Sequence, residues 1–273
     1  MLKGVLRLFS FVLITFLLFT GCSEYNKALK SPDLNYKLEV AKKYYDRQDY
    51  IRAYPLFEEL LNLYRGTAKS QEVYYYYAMT HYGMEDYILA AYHFKNFSTT
   101  FPQSEKAEEC AYLAAYCYYL DSPRYSLDQS STNKAINELQ LFINTHPGSA
   151  RVDTATIYID KLRDKLEQKS FEIGKQYLKI GDYKSAIFAL DNTLNDYPDT
   201  EYREEALYLQ IRANYLLAAN SVDYKKEERY ENATRAYQNF VRWFPESDWR
   251  KDADKLNDKI NSDLEEFRNQ EQL

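Results

Sequence analysis

Apolar residues recur along the chain at helical spacing, and the pattern repeats on a larger scale. Five segments carry a small residue followed four positions later by a bulky one: Ala53 and Phe57, Ala90 and Phe94, Ala135 and Leu139, Ala186 and Leu190, Ala233 and Tyr237. Twelve positions after each alanine stand Arg65, Pro102, Pro147, Pro198 and Pro245, each preceded by a ring: Tyr64, Phe101, His146, Tyr197 and Phe244. On a helix the alanine and the bulky residue share a face, so the first admits a neighbouring helix and the second fills the space beside it. Proline then ends the helix, because it cannot continue one.

These segments predict an all-α fold of five helix pairs plus a C-terminal helix, and their resemblance to the tetratricopeptide repeat implies a right-handed α-solenoid. A long helix from Ser149 to Ile180, with Gly174 as its one breaker, spaces Val152, Ala155, Ile159, Leu162 and Leu166 on one face. It joins a three-repeat half at 34–148 to a two-repeat half at 149–245. Residues 246–273 read as a capping helix, with Ala253, Leu256, Ile260, Leu264 and Phe267 on one face. That face either covers the last repeat or docks a partner. Surplus length falls in loops at 121–132 and 219–228.

The fourth copy shows the pattern most fully. Ile173, Gly174 and Tyr177 lie on its first helix, Gly181-Asp182-Tyr183 at its turn, and Ala186, Leu190, Leu194 and Pro198 on and after its second. The first copy supplies Val40, Ala41 and Tyr44, and the second Tyr77, Ala78 and His81. These positions resemble the tetratricopeptide repeat, although the copies here are spaced more widely than its roughly 34 residues.

The N-terminus follows another rule. Lys3 and Arg7 precede an apolar run from Leu8 to Phe19, too short for the roughly 20 residues of a spanning helix but suited to a signal peptide over 1–21. Thr20-Gly21-Cys22 closes the run and resembles a lipobox, with Phe19 where leucine is usual. The resemblance implies that Cys22 becomes the diacylglycerol-modified, palmitate-type acylated N-terminus. Ser23 beside it implies delivery to the outer membrane. Residues 22–33 read as a tether without periodicity, linking the repeats to the membrane through lipid.

Composition narrows the chemistry. A net charge of -6 offers no positive footprint for nucleic acid. Cys110 and Cys117, seven apart on one helix, are about 10 Å apart along its axis, too far for a disulfide. They read as core residues. His81, His93 and His146 show no metal-ligand spacing, and no phosphate-cradling, zinc-protease or nucleophile-elbow motif is present. The doublets Glu58-Glu59, Glu108-Glu109, Glu204-Glu205 and Glu227-Glu228 diverge by about 100° on a helix and read as solvated faces. No enzyme activity, cofactor or metal is expected.

Tyrosine is the unusual component, with 29 residues and the run Tyr74-Tyr75-Tyr76-Tyr77. Repeat phase assigns Tyr74 and Tyr77 to packing and turns Tyr75 toward the inner side, with Tyr45, Tyr82, Tyr112, Tyr116 and Tyr119 on or near it. The rings either pack between helices or line a groove, where each offers a flat apolar surface and a hydroxyl.

The lipoprotein leader, the five divergent repeats, the long central helix, and the segments Tyr177-Leu-Lys-Ile-Gly-Asp-Tyr-Lys-Ser-Ala186 and Asp196-Tyr-Pro-Asp-Thr200 together resemble the BamD family of outer-membrane assembly lipoproteins. The resemblance implies a lipid-anchored scaffold on the periplasmic side of the outer membrane. Its C-terminal repeats would dock a BamA-like outer-membrane barrel protein, and its N-terminal repeats would receive the C-terminal signals of unfolded outer-membrane proteins. It also adds Tyr64 to the candidate groove, as the ring that ends the first repeat, while Arg65 departs from the usual proline. A different periplasmic repeat lipoprotein, for envelope coordination or glycan binding, is the alternative reading.

Overall fold

The computed structural model describes residues 24–271, and the predicted signal peptide and Cys22 lie outside them. Every regular element among the described residues is helical. A short helix, α1, covers residues 24–30. Then follow α2 (Leu34–Asp46), α3 (Tyr50–Leu63), α4 (Ser70–Gly83), α5 (Tyr87–Thr100), α6 (Ala107–Asp121), α7 (Ser130–Thr145), α8 (Val152–Ile180), α9 (Tyr183–Asp196), α10 (Arg203–Ala219), α11 (Asp223–Trp243) and α12 (Arg250–Glu271). The all-α helix-pair repeat read from the sequence is the observed architecture. No described helix is long and apolar enough to cross a membrane.

The five alanines explain how the pairs close. Ala53, Ala90, Ala135, Ala186 and Ala233 are all fully buried, and so are Phe57, Phe94, Leu139 and Leu190 one turn on. The rings eleven residues along are the C-caps of the second helices, each donating its N–H to the carbonyl four residues back. Proline disfavours the helical region for the residue before it. Accordingly Phe101, His146, Tyr197 and Phe244 leave the helix with φ between -123° and -132° and ψ between 56° and 75°. Tyr64, followed by Arg65, keeps φ -92° and ψ 4°, and Gly66 makes the turn at φ 76°.

Three turns share another device. Gln48, Glu85 and Gly181 adopt positive φ, each followed by an aspartate that N-caps the next helix and then a tyrosine. Asp49 and Asp182 accept backbone N–H groups from Arg52 and Ser185, as an N-cap should. Asp86 makes no such bond and lies 3.6 Å from His81 Nδ1 instead.

The described residues form two compact units. The first runs to Pro123 and from Gln129 to Leu162, and the second comprises Arg124–Asp128 and everything from Arg163 onward. The expected halves divide at residue 148, whereas the units divide inside α8, after Leu162. In the first unit, one core cluster joins α1 to α4 around Phe57 and Leu60, and another joins α4 to the start of α8 around Phe94, Phe97 and Leu139. In the second unit Phe171, Leu190, Ile211 and Phe240 form the core, and α12 lays Ala253, Ile260 and Leu264 into it, with Phe267 buried as well.

Two expectations about irregular segments are corrected. The residues read as a tether are helical at 24–30, because Ala28 finds a fully buried seat against the first repeat. The loop read at 219–228 ends early, since α11 begins at Asp223. Its additional turns are held from outside by Arg268 of α12, which pairs with Glu227 at 2.7 Å and Glu231 at 3.1 Å.

Candidate functional site

The run on α4 distributes its rings around the helix, as the 100° step requires. Tyr77 is buried, Tyr74 packs edge-on against Phe97 at 6.1 Å and Phe101 at 6.3 Å, and Tyr76 stacks on Phe57 at 5.6 Å. Tyr76 is the link that the sequence reading missed. Tyr45 meets it edge-on at 5.1 Å and Tyr75 at 5.9 Å, so the two candidates are brought into one group through it. Lys42 Nζ stands 5.0 Å from the Tyr76 ring.

Tyr75 is also tied to the next repeat. Its hydroxyl donates to Glu109 Oε1 at 3.1 Å, and Lys106 pairs with Glu109 at 2.8 Å while standing over the Tyr75 ring at 5.1 Å. Burial, then the Glu109 charge, pushes the Tyr75 phenol well above its ordinary value. Burial likewise pushes Tyr45 up to about 12. Both rings stay neutral at physiological pH and offer a hydroxyl without a charge.

A second group lies on α6. Tyr112, Tyr116 and Tyr119, at i, i+4 and i+7, stack in sequence at 5.9 and 5.8 Å with interplanar angles of 5° and 15°. Tyr158 of α8 completes the ladder, 5.2 Å from Tyr116 and 4.3 Å from Tyr119. Tyr158 was missed as well, although it lies beside the apolar stripe that runs through Ala155, Ile159 and Leu162. Burial, with Tyr158 as neighbour, pushes Tyr112 up to about 12 and raises Tyr116 further. Tyr82 contacts Tyr87 at 6.0 Å and Phe94 at 6.3 Å, and Tyr158 contributes to its electrostatic surroundings.

Tyr64 stands apart from both groups. It is buried at the end of α3, where its hydroxyl donates to Asn35 Oδ1 at 3.2 Å. Lys69 Nζ donates to the same oxygen at 2.7 Å. Asn35 belongs to a cavity of about 580 Å³ beside α2 and α4, whose wall mixes Lys42, Lys43 and Arg47 with Glu39, Asp46 and Glu72. The other six candidates are half-buried, with ring faces partly in packing and partly in solvent.

Cys110 and Cys117 are free and fully buried, and burial pushes both thiols up to about 12. No group of three or more His, Cys, Asp or Glu among the described residues is placed to hold a metal ion.

Alanine-lined crossings, aromatic C-caps and aspartate-capped turns define the class, an all-α repeat protein of the tetratricopeptide kind. Residues 35–229 match the model of the family described as YfiO, Outer membrane lipoprotein, and the chain belongs to that family. The outer membrane protein assembly factor BamD of Caulobacter vibrioides is 27% identical over 176 residues, covering 64% of this chain and 54% of its own. The BamD of Rickettsia prowazekii is 25% identical over 139 residues, covering 47% of this chain and 55% of its own. The putative BamD of Aquifex aeolicus is 26% identical over 224 residues, covering 81% and 73%. The chain thus spans about half the length of the first two relatives. A solved TPR repeats protein from Bacteroides fragilis is 16% identical, with 85% of this chain and 99% of its own covered at a TM-score of 0.39.

Proposed function

We infer that the chain is a lipid-anchored, periplasm-facing scaffold of the outer membrane that takes part in assembling outer-membrane proteins. The observation that carries this reading is the family match over residues 35–229, and the relatives named as assembly factors support it. In this reading acyl chains on Cys22 hold the protein at the inner face of the outer membrane. The C-terminal repeats meet a BamA-like barrel protein, and the N-terminal repeats receive the C-terminal signals of unfolded outer-membrane proteins.

Binding is non-covalent. A substrate tail ending in an aromatic residue lays its side chains on Tyr45, Tyr75 and Tyr82, with the Tyr112, Tyr116 and Tyr119 ladder beyond. Ring faces supply apolar contact at low entropic cost, and hydroxyl oxygens, Tyr75's included while it donates to Glu109, accept backbone N–H groups of an extended peptide. Tyr64, whose hydroxyl is engaged by Asn35, supports the start of α2 from behind.

The test is recovery of the tagged, lipidated protein from its own cells in mild detergent, with mass spectrometry of what accompanies it. Stoichiometric recovery of a large outer-membrane barrel protein with periplasmic repeats supports the reading. Recovery of glycan-uptake or peptidoglycan proteins without such a barrel overturns it. For the groove, Tyr75→Ala with Tyr82→Ala is expected to weaken binding of a barrel-protein C-terminal peptide by about tenfold or more. Unchanged affinity removes the tyrosines from the site.

A further inference from the structure

The segment between Cys22 and the first repeat is fastened to that repeat. Lys43, in the last turn of α2, reaches both carboxylate oxygens of Glu24 at 2.7 and 2.8 Å. Lys37, in the first turn of α2, donates to the Leu29 carbonyl at 3.3 Å. Thus α1 runs antiparallel to α2, clamped at both ends. Lys37 is only 1% exposed and pairs at 2.5 Å with Glu59 of α3, so the clamp is itself pinned from the far side. Between the clamps Ala28 is fully buried, and Tyr25 packs edge-on against Tyr44 at 5.7 Å.

These contacts fix where the chain enters the repeat. The Tyr44 ring that receives Tyr25 also lies 5.9 Å from the guanidinium of Arg52, in the first turn of α3. Glu24 and Tyr25 therefore sit at the α2–α3 turn. Cys22 precedes Glu24 by two residues, and a chain of that length spans no more than about 7 Å. At the same turn Ile51 is 81% exposed. Around it Arg47 and Arg52 are balanced by Asp46 and Asp49, so the turn carries no net charge to repel or attract a headgroup layer.

We propose that the α2–α3 turn rests on the leaflet that holds the acyl chains of Cys22, with Ile51 entering the boundary between headgroups and acyl chains. The proposal rests on the reading of Cys22 as acylated. Apolar side chains gain from leaving water in proportion to the area they bury. A lone isoleucine is too weak to bind a membrane by itself, but an acylated Cys22 no more than about 7 Å of chain from Glu24, which is clamped at this same turn, makes its insertion intramolecular, at high effective concentration. The docked α1 thus turns the lipid from a leash into a fixed point of attachment for the first repeat.

The test uses the full lipidated chain in vesicles of phosphatidylethanolamine and phosphatidylglycerol, with a nitroxide at Ile51→Cys or, as control, at Leu63→Cys. Leu63 is 50% exposed at the opposite end of α3, and the buried Cys110 and Cys117 do not compete for label. The label at position 51 is expected to collide several-fold more with oxygen than with a water-soluble nickel chelate, relative to position 63. Equal accessibility at the two positions, with the acyl mass on Cys22 confirmed by mass spectrometry, overturns the orientation and leaves the lipoprotein reading standing. Absence of that mass overturns both. Ala28→Glu, which puts a carboxylate into the seat of α1 outside the repeats, is expected to return position 51 to water at unchanged acyl mass. A membrane signature that survives it overturns the role given to α1.

Discussion

The imidazoles of His81 and His93 stack with centroids 5.1 Å apart and 22° between planes. Tyr77 closes on both rings edge-on at 4.8 Å, with Tyr54 against His81 and Tyr74 and Tyr92 against His93. Both nitrogens of His81 and Nδ1 of His93 make no hydrogen bond among the described residues. Burial lowers the pKa of His81, opposed by Asp86 and Glu58. Burial, with His81 beside it, lowers His93 from 6.5 to about 4.

A histidine depressed in the folded state stabilises the fold fully above its unfolded pKa, and that stability is lost as pH falls. Denaturant unfolding is therefore expected to show stability declining from about pH 6.5 toward pH 4, with His93 contributing up to about 2–3 kcal/mol. His93→Phe keeps a ring in the cage without a proton to gain. Its pH profile over that window is expected to be flatter than that of the unaltered protein, and a parallel profile would exclude the pair as the cause.

At the end of the first repeat the missing proline has a structural counterpart. Tyr64 holds ψ 4°, a conformation that a following proline disfavours, whereas the four rings that precede proline have left the helical region, with ψ between 56° and 75°. Restoring the repeat pattern by Arg65→Pro is therefore expected to destabilise the protein, by about 1–2 kcal/mol, as Tyr64 is driven off Asn35. A raised melting temperature would show that the turn re-forms on the pattern of the other four.

The sequence made these helix ends legible because alanine, aromatic and proline each act through local sterics that any copy must obey. It also showed that Tyr112, Tyr116 and Tyr119 share a face, since that follows from helical spacing alone. What stayed hidden depends on partners far along the chain. Residues 24–30 offer one apolar turn, and their helix is held by Lys37, Lys43 and Tyr44 of the next element. The start of α11 is highly charged, and it is supported by Arg268 about forty residues later. Tyr158 joins the α6 ladder across a similar gap, and the stacking of His81 on His93 needs α4 and α5 to be packed first.

The turns after α2 and α4 carry strain that the turn after α8 avoids. Gln48 and Glu85 sit at φ 59° and 61°, where Gly181 sits at 85° in the fourth repeat. A side chain in the left-handed region costs about 1–2 kcal/mol, while glycine costs about 0.5–1 kcal/mol more in lost chain entropy. Gln48→Gly and Glu85→Gly are each expected to stabilise the fold by roughly 0.5–1 kcal/mol, read as a shift in the urea midpoint at unchanged slope. Destabilisation by either would mean that its side chain makes contacts worth more than the strain.

Gly174, in contrast, is required for space rather than for conformation. It lies in the interior of α8, where a Cβ would come within 2.7 Å of Leu190 Cδ2 and 2.8 Å of its Cγ. Leu190 is fully buried and packed among Phe171, Leu207 and Ile211, so it has little room to retreat. In an unpacked helix Gly→Ala would gain about 1 kcal/mol from propensity, but overpacking a core costs about 1–3 kcal/mol. The packing term is expected to win, so Gly174→Ala lowers the melting temperature. Gly148→Ala, where a Cβ meets nothing within 4 Å, leaves it unchanged or slightly raised. Equal behaviour of the two variants would show that α8 and α9 can separate by a few tenths of an ångström without loss, and that the close crossing is not what Gly174 is kept for.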